Sequence, residues 1–165
     1  MKKLSLLLVL LFICSGFSFA QNEVLREQSS LIGITEFGVV VNVETPVDFE
    51  EKSLNVATLK RQILENFKDL PVSIINERRL QRSDEYPIFY LHLNIMRASN
   101  NTYPFSIEMN FYQPVKLVLN RDMQTMASTW NSGQVGIVSE DLLSIISTEV
   151  VQATDAFKEN FQKMN

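Results

Sequence analysis

The stretch of sequence that decides the fold runs from Tyr86 to Leu119 and reads YPIFYLHLNIMRASNNTYPFSIEMNFYQPVKLVL. Two segments of it alternate strictly between apolar and polar residues, one on each side of the polar run Ala98–Thr102. Alternation with a period of two is the pattern of a β-strand that buries one face. The stretch therefore predicts two long strands joined by a hairpin turn.

A turn centred on Asn100 fixes the register of this hairpin. A slip of one residue would turn every side chain to the wrong face of the sheet. The inward pairs predicted are Phe89 with Phe111, Leu91 with Met109, Leu93 with Ile107, and Ile95 with Phe105. The reverse face is predicted to carry Tyr90, His92, Asn94, Glu108, Asn110 and Tyr112, with His92 opposite Glu108.

The first twenty residues have the pattern of a secretory signal peptide. Lys2 and Lys3 precede an apolar run at residues 4–13, which is too short to cross a bilayer, and Ser18-Phe19-Ala20 offers a cleavage site. Cys14 follows Ile13 rather than the small residue that a lipoprotein signal requires. We therefore expect a soluble exported protein, periplasmic or secreted.

Intact-mass spectrometry of the exported protein should give a chain that begins at Gln21, because the small residue Ala20 completes the cleavage site. A diacylated Cys14 would contradict both the cleavage site and the soluble form.

Length and charge favour one acidic domain. The predicted signal peptide holds two lysines and no acids, so the mature chain is more negative than the −4 of the whole sequence. That balance argues against nucleic acid or an anionic membrane as partner. The only cysteine also lies in the signal peptide, so a hydrophobic core must stabilise the domain. A chain of this size buries roughly two-thirds of its surface on folding.

The remaining patterns predict a flexible lead at residues 21–31 and a single domain at 32–165. The predicted elements are a strand at Ile32–Glu44, a helix capped by Ser53 or Asn55, a short strand at Val72–Ile75, an interruption of the second hairpin strand at Gln113-Pro114, a strand at Met123–Trp130, a turn at Asn131-Ser132-Gly133 and a helix at Glu140–Phe161. Two amphipathic helices can cover one side of a sheet only. The fold class predicted is thus α+β: a two-layer sandwich whose mixed, mostly antiparallel sheet has both helices on one face.

Two charged segments have a functional and a simpler interpretation. The acidic loop at Val47–Lys52 lacks the glycine and the ligand spacing of a calcium loop, so we interpret it as solvated. Arg78, Arg79 and Arg82 could clamp an anion. No glycine-rich turn accompanies the arginines, so a solvated loop whose charges largely cancel is the preferred interpretation.

Catalytic and metal-binding patterns are not found in the sequence. The mature chain has one histidine, no cysteine and no Gly-x-Ser-x-Gly elbow, and we predict a protein that is not an enzyme and binds no metal or cofactor. Glu108 opposite His92 would favour the charged imidazole and could make a pH-sensitive contact. An ordinary cross-strand polar pair, worth under about 1 kcal/mol, is the preferred interpretation. Trp130 is interpreted as a core or sheet-edge anchor.

The reverse face of the hairpin is the leading candidate for function. Tyrosines among small polar groups are typical of recognition surfaces, so we predict that this face binds another protein of the cell envelope. The alternative is a carrier that holds a small apolar ligand between helices and sheet. It is favoured by the many inward Phe and Met residues, which can line an adaptable cavity.

Three motifs resemble a loosely defined group of small exported bacterial proteins of uncharacterised function. They are Gln113-x-Val115-x-Leu117, Thr129-Trp130-x-x-Gly133-x-x-Gly136 and Asp155-x-Phe157-x-x-x-Phe161. The likeness spans residues 32–161. More distantly, the order of elements is similar to periplasmic α/β domains such as the TolB N-terminal domain and the curli secretion lipoprotein. The resemblance implies an exported α/β fold but no activity, and the missing lipoprotein signal departs from the second group.

Overall fold

A five-stranded mixed sheet covered on one side by two helices forms the body of the protein. The computed structural model describes residues 24–47, 49, 51–83 and 85–165. The strands are β1 (Glu36–Glu44), β2 (Ser73–Ile75), β3 (Ile88–Ile95), β4 (Thr102–Lys116) and β5 (Gln124–Ser139). The helices are α1 (residues 24–29), α2 (Val56–Asn66), α3 (Glu77–Leu80) and α4 (Ile145–Met164). The predicted α+β fold class is confirmed.

The strands lie in the order β2-β1-β3-β4-β5. β1 runs parallel to both β2 and β3, whereas the β3–β4 and β4–β5 pairs are antiparallel. The central strands β1, β3 and β4 thus carry the apolar alternation that the sequence shows most clearly.

The hairpin of β3 and β4 has the predicted register. Phe89 lies opposite Phe111, His92 opposite Glu108, and Ile95 opposite Phe105. At the turn, Asn100 and Asn101 have φ angles of 65° and 54°. Asparagine tolerates this left-handed region better than most residues, which explains why the polar run reverses the chain there.

Aromatic rings fill the layer between the sheet and the helices. Phe157 of α4 lies at their centre, with ring centroids 4.8 Å from Phe89, 5.1 Å from Trp130 and 5.2 Å from Phe111. The predicted role of Trp130 as a core anchor is confirmed, because its side chain is buried. Most of these ring pairs are tilted or edge-to-face, which are favourable arrangements for aromatic side chains.

Helix α2 begins as predicted. Asn55 is its cap, and the side-chain oxygen of Asn55 accepts a hydrogen bond of 2.9 Å from the Thr58 backbone N–H. Leu59 and Ile63 are buried on the face of α2 that meets the sheet. No helix among the described residues is long and apolar enough to cross a membrane.

The irregularity predicted at Gln113-Pro114 lies slightly earlier, between Phe111 and Tyr112, and it does not interrupt the strand, because β4 continues to Lys116. Pro114 is tolerated because β3 has ended by this point, so β4 has lost one of its two neighbours and can accept a residue without an N–H. Beyond β3, β4 and β5 continue together as a two-stranded arm.

The predicted turn at Asn131-Ser132-Gly133 is also wrong, because β5 continues through these residues to Ser139. β4 supplies the pairing partner for this whole segment, from Lys116 opposite Gln124 to Thr102 opposite Ser139. A Cβ on Gly136 would lie 2.4 Å from Cζ of Phe105. Glycine is therefore needed here to let the Phe105 ring lie across the strand, and not to make a turn.

The closing helix begins later than predicted. Residues Glu140–Leu142 form a turn of 3₁₀ helix, and α4 starts at Ile145 and extends to Met164. The Ser139 hydroxyl does not cap a helix; it bonds to the carboxylate of Asp141.

The N-terminal lead is described from Val24 onward and differs from the loose segment predicted. Residues 24–29 are helical, the Gln28 side chain donates to Asn160 of α4 at 2.8 Å, and Leu31 is fully buried. The predicted signal peptide and cleavage site lie outside the described residues, as do Asp48 and Glu50 of the acidic loop.

Candidate functional site

The side of the sheet that faces away from α2 and α4, here called the outer face, is the candidate site. β1, β3, β4 and β5 supply it, and each contributes every second residue because side chains alternate along a strand. Its members on β1, β3 and β4 are Val40, Asn42, Glu44, Ile88, Tyr90, His92, Asn94, Ser106, Glu108, Asn110 and Tyr112, and β5 adds Asn131, Gly133, Val135 and Ile137 at the edge. All six residues that the sequence predicted for the reverse face of the hairpin lie on it.

Pairing between strands arranges these side chains in rows across the sheet. One row runs from Val40 through Tyr90 to Asn110, and the next runs from Asn42 through His92 to Glu108. All these side chains are partly buried except that of Glu108, which is exposed. The part of the outer face on β1, β3 and β4 is therefore mainly polar and accessible.

Three rings form a cluster on the β3–β4 part of the outer face. The ring of Tyr90 packs edge-on against that of Tyr112 with centroids 6.2 Å apart, and lies 6.4 Å from the imidazole of His92. Since neighbouring rings limit each other's motion, these tyrosines present a rigid surface that would lose little conformational entropy when covered.

The closest carboxylate to His92 is that of Glu44, and not that of Glu108 as predicted. Nε2 of His92 lies 3.3 Å from Oε1 of Glu44. The hairpin register does place Glu108 opposite His92, but the parallel neighbour β1 brings Glu44 closer from the other side. A pairing between strands distant in sequence could not be read from the hairpin pattern alone.

Nε2 of His92 is buried and makes no hydrogen bond among the described residues. The 3.3 Å approach of Glu44 has an ion-pair distance but lacks hydrogen-bond geometry. Buried polar atoms in native proteins nearly always form a hydrogen bond, so Nε2 is an exception within the candidate site.

The arginine-rich segment borders the outer face and is not the loop that was predicted. Asn76 caps a single helical turn, α3, at Glu77–Leu80. Leu80 lies over Gly38 of β1, where an added Cβ would come 2.3 Å from Leu80 Cδ1. Thus α3 covers one end of the face and leaves the rest open.

The three arginines do not converge into one clamp. Arg79 donates to the Tyr86 hydroxyl at 3.1 Å and to Glu36 at 3.2 Å. The hydrogen bond to Tyr86 and the charge of Glu36 raise the pKa of Arg79. Arg78 and Arg82 remain exposed. Because Arg79 already bonds to Glu36 and Tyr86 of the same chain, it is not free to bind an anion together with Arg78 and Arg82.

The space between helices and sheet is filled by side chains. Phe89, Met109 and Phe157, which are inward residues of the types that favoured a ligand carrier, are almost completely buried in the core. A surface groove of about 700 Å³ lies instead where α2 meets α4 and is lined mainly by polar and charged residues, among them Asn66, Asp69 and Lys158.

Within the described residues, no group of three His, Cys, Asp or Glu side chains is placed to hold a metal ion.

Comparisons with known proteins identify no family. No protein-family model matches the chain, and no curated protein matches it. Among solved structures, a PelC dodecamer from Paraburkholderia phytofirmans aligns with 74% of this chain and 86% of its own, at 12% identity and a TM-score of 0.41. A likeness of that degree carries no argument about this chain.

Proposed function

We propose that this protein is an exported, non-catalytic component of the cell envelope that binds another protein through the outer face. The observation that carries the proposal is the one-sided cover of the sheet. Helices α2 and α4 pack on the inner side, and the outer side keeps its aromatic and polar side chains partly open to solvent. A face of this composition is too polar for a core and is richer in tyrosine than a merely solvated surface needs to be.

The chemistry of the outer face favours a partner that brings an aromatic or aliphatic anchor together with a basic group. The rings of Tyr90 and Tyr112 give the anchor a rigid apolar support. Glu44 and Glu108 are both exposed, so a lysine or arginine of the partner could pair with them.

Replacing Tyr90 and Tyr112 with alanine should weaken binding of the partner by about 1 kcal/mol or more for each tyrosine, because truncation removes the anchors of the contact. The stability of the fold should change little, since neither ring belongs to the core. The measurement is capture of the partner from the envelope fraction, followed by titration calorimetry with the purified pair.

The matched control replaces Arg78 and Arg82 with alanine. Both side chains are exposed on or beside α3 at the border of the outer face, and this variant should keep full affinity. Binding that survives loss of both tyrosines and fails in the arginine variant would move the site to α3.

A further inference from the structure

β5 is an edge strand that lacks the usual protection of an exposed edge. It is sixteen residues long and pairs with β4 on one side only. Its sequence, QTMASTWNSGQVGIVS, contains no charged residue and no proline. The opposite edge of the sheet is formed by β2, which has only three residues.

Natural proteins protect long edges because their unpaired N–H and C=O groups can pair with any other strand. Inward-pointing charges, prolines and very short strands are the common forms of protection. β2 is protected by its shortness. β5 has a bulge at Thr129, where the consecutive residues Phe111 and Tyr112 pair with Trp130 and Ser128, but residues 132–139 have none of these features. The nearest charged residues along the chain, Asp122 and Glu140, lie just outside the two ends of β5.

The first part of this edge is occupied by α1 and the residue that follows it. The Ser30 hydroxyl donates to the Thr129 carbonyl at 3.1 Å, and the Asn131 side chain donates to Glu27 at 2.7 Å. Over residues 132–139, within the described part of the chain, the Gln134 side chain donates to the Glu149 carbonyl of α4 at 3.5 Å on the inner side of the sheet, and α1 does not extend over the edge there. This free half also has the most exposed apolar side chains of β5, with Val135 at 84% and Ile137 at 65% exposure.

We propose that the free half of β5 pairs antiparallel with the same segment of a second copy of this chain. A two-fold axis normal to the sheet would join the two sheets into one of ten strands and keep both outer faces on the same side. With Gly136 facing Gly136 across the axis, Val135 of each copy lies opposite Ile137 of the other. Both exposed apolar side chains are then covered in pairs.

Self-complementarity favours a second copy as the occupant of this edge, because the two-fold register pairs Val135 with Ile137 twice. Each copy is acidic overall, with a formal charge of −4 for the full sequence, so two copies can approach each other only through a surface that lacks negative charge. β5 is the long exposed segment without a carboxylate, and an uncharged strand meets its own copy without the penalty of like charges placed in opposite positions. Main-chain hydrogen bonds then supply the attraction, as in other strand-addition contacts.

The pairing would give the protein a second property beyond the proposed function. Two outer faces on one continuous sheet form a bivalent platform, and a partner with two binding sites would gain affinity from avidity. The dimer is nevertheless independent of the proposed function, because its test measures mass and needs no partner.

Light scattering coupled to gel filtration, over a range of concentrations, tests the proposal on the purified protein. We expect the mass of two chains at high concentration. The Val135→Lys variant should raise the dissociation constant at least about tenfold, because it sets two lysines near each other across the new strand pair.

Val118→Lys is the matched control, since Val118 is 83% exposed at the tip of the β4–β5 arm and has the same side chain. This variant should remain a dimer, and circular dichroism should show that both variants are folded. A wild-type protein that stays monomeric at all concentrations would overturn the proposal. Dissociation by Val118→Lys with a Val135→Lys variant that stays dimeric would overturn it too, by moving the interface to the arm.

Discussion

Replacing Phe157 with alanine should lower the free energy of unfolding by about 3–5 kcal/mol, the range for truncating a large aromatic side chain in a packed core. Phe157 is fully buried, and its ring contacts those of Phe37, Phe67, Phe89, Phe111, Trp130 and Phe161. No other aromatic residue among those described has as many ring neighbours. Equilibrium denaturation with urea, at an unchanged slope, is the measurement.

Phe49 provides the matched control for this substitution. It is partly buried at the margin of the core, and its ring contacts only that of Tyr103 among the described ring pairs. Phe49→Ala should therefore destabilise the fold much less than Phe157→Ala. A loss of under about 1 kcal/mol from Phe157→Ala would mean that α4 does not pack on the sheet through this ring.

Truncation of two adjacent residues of β3 should lower the stability of the fold by very different amounts. Leu91→Ala should cost about 2–5 kcal/mol, because Leu91 is fully buried in the central layer. His92→Ala should cost under about 1 kcal/mol, because His92 is partly exposed and its Nε2 makes no hydrogen bond that would be lost.

The comparison tests whether the sheet is covered on one side only. Both variants are measured by the same denaturation experiment, so differences in the unfolded state largely cancel. Equal and large losses would show that the outer face is covered by a further layer, which would exclude it as a binding surface.

The hairpin could be predicted from sequence because its determinants are local. Strict alternation fixed which side chains face inward, and the asparagines at positions 100 and 101 fixed the turn, so the register of Leu93 with Ile107 followed directly. The same local rules failed for β5. There Asn131, Ser132 and Gly133 have turn chemistry, but pairing with β4 outweighs this weak preference and keeps the chain extended.

The electrostatic contacts of the candidate site depend on strands and turns that are distant in sequence. Glu44 reaches His92 only because β1 lies parallel to β3, and Arg79 reaches Glu36 only because α3 folds back beside β1. No periodicity in the sequence specifies either neighbour. The six hairpin residues predicted for the outer face therefore lie on it, whereas the ion partners beside them were not predicted.

The central claim is that the outer face contacts a protein partner in the exporting cell. Site-specific photo-cross-linking tests it most directly, with the photoreactive residue placed at Glu108 on the outer face or at Gln152 on α4. Both positions are exposed, so neither substitution should disturb the core. We predict that the probe at Glu108 cross-links one envelope protein and that the probe at Gln152 does not. A cross-linked partner obtained from Gln152 and not from Glu108 would contradict the account.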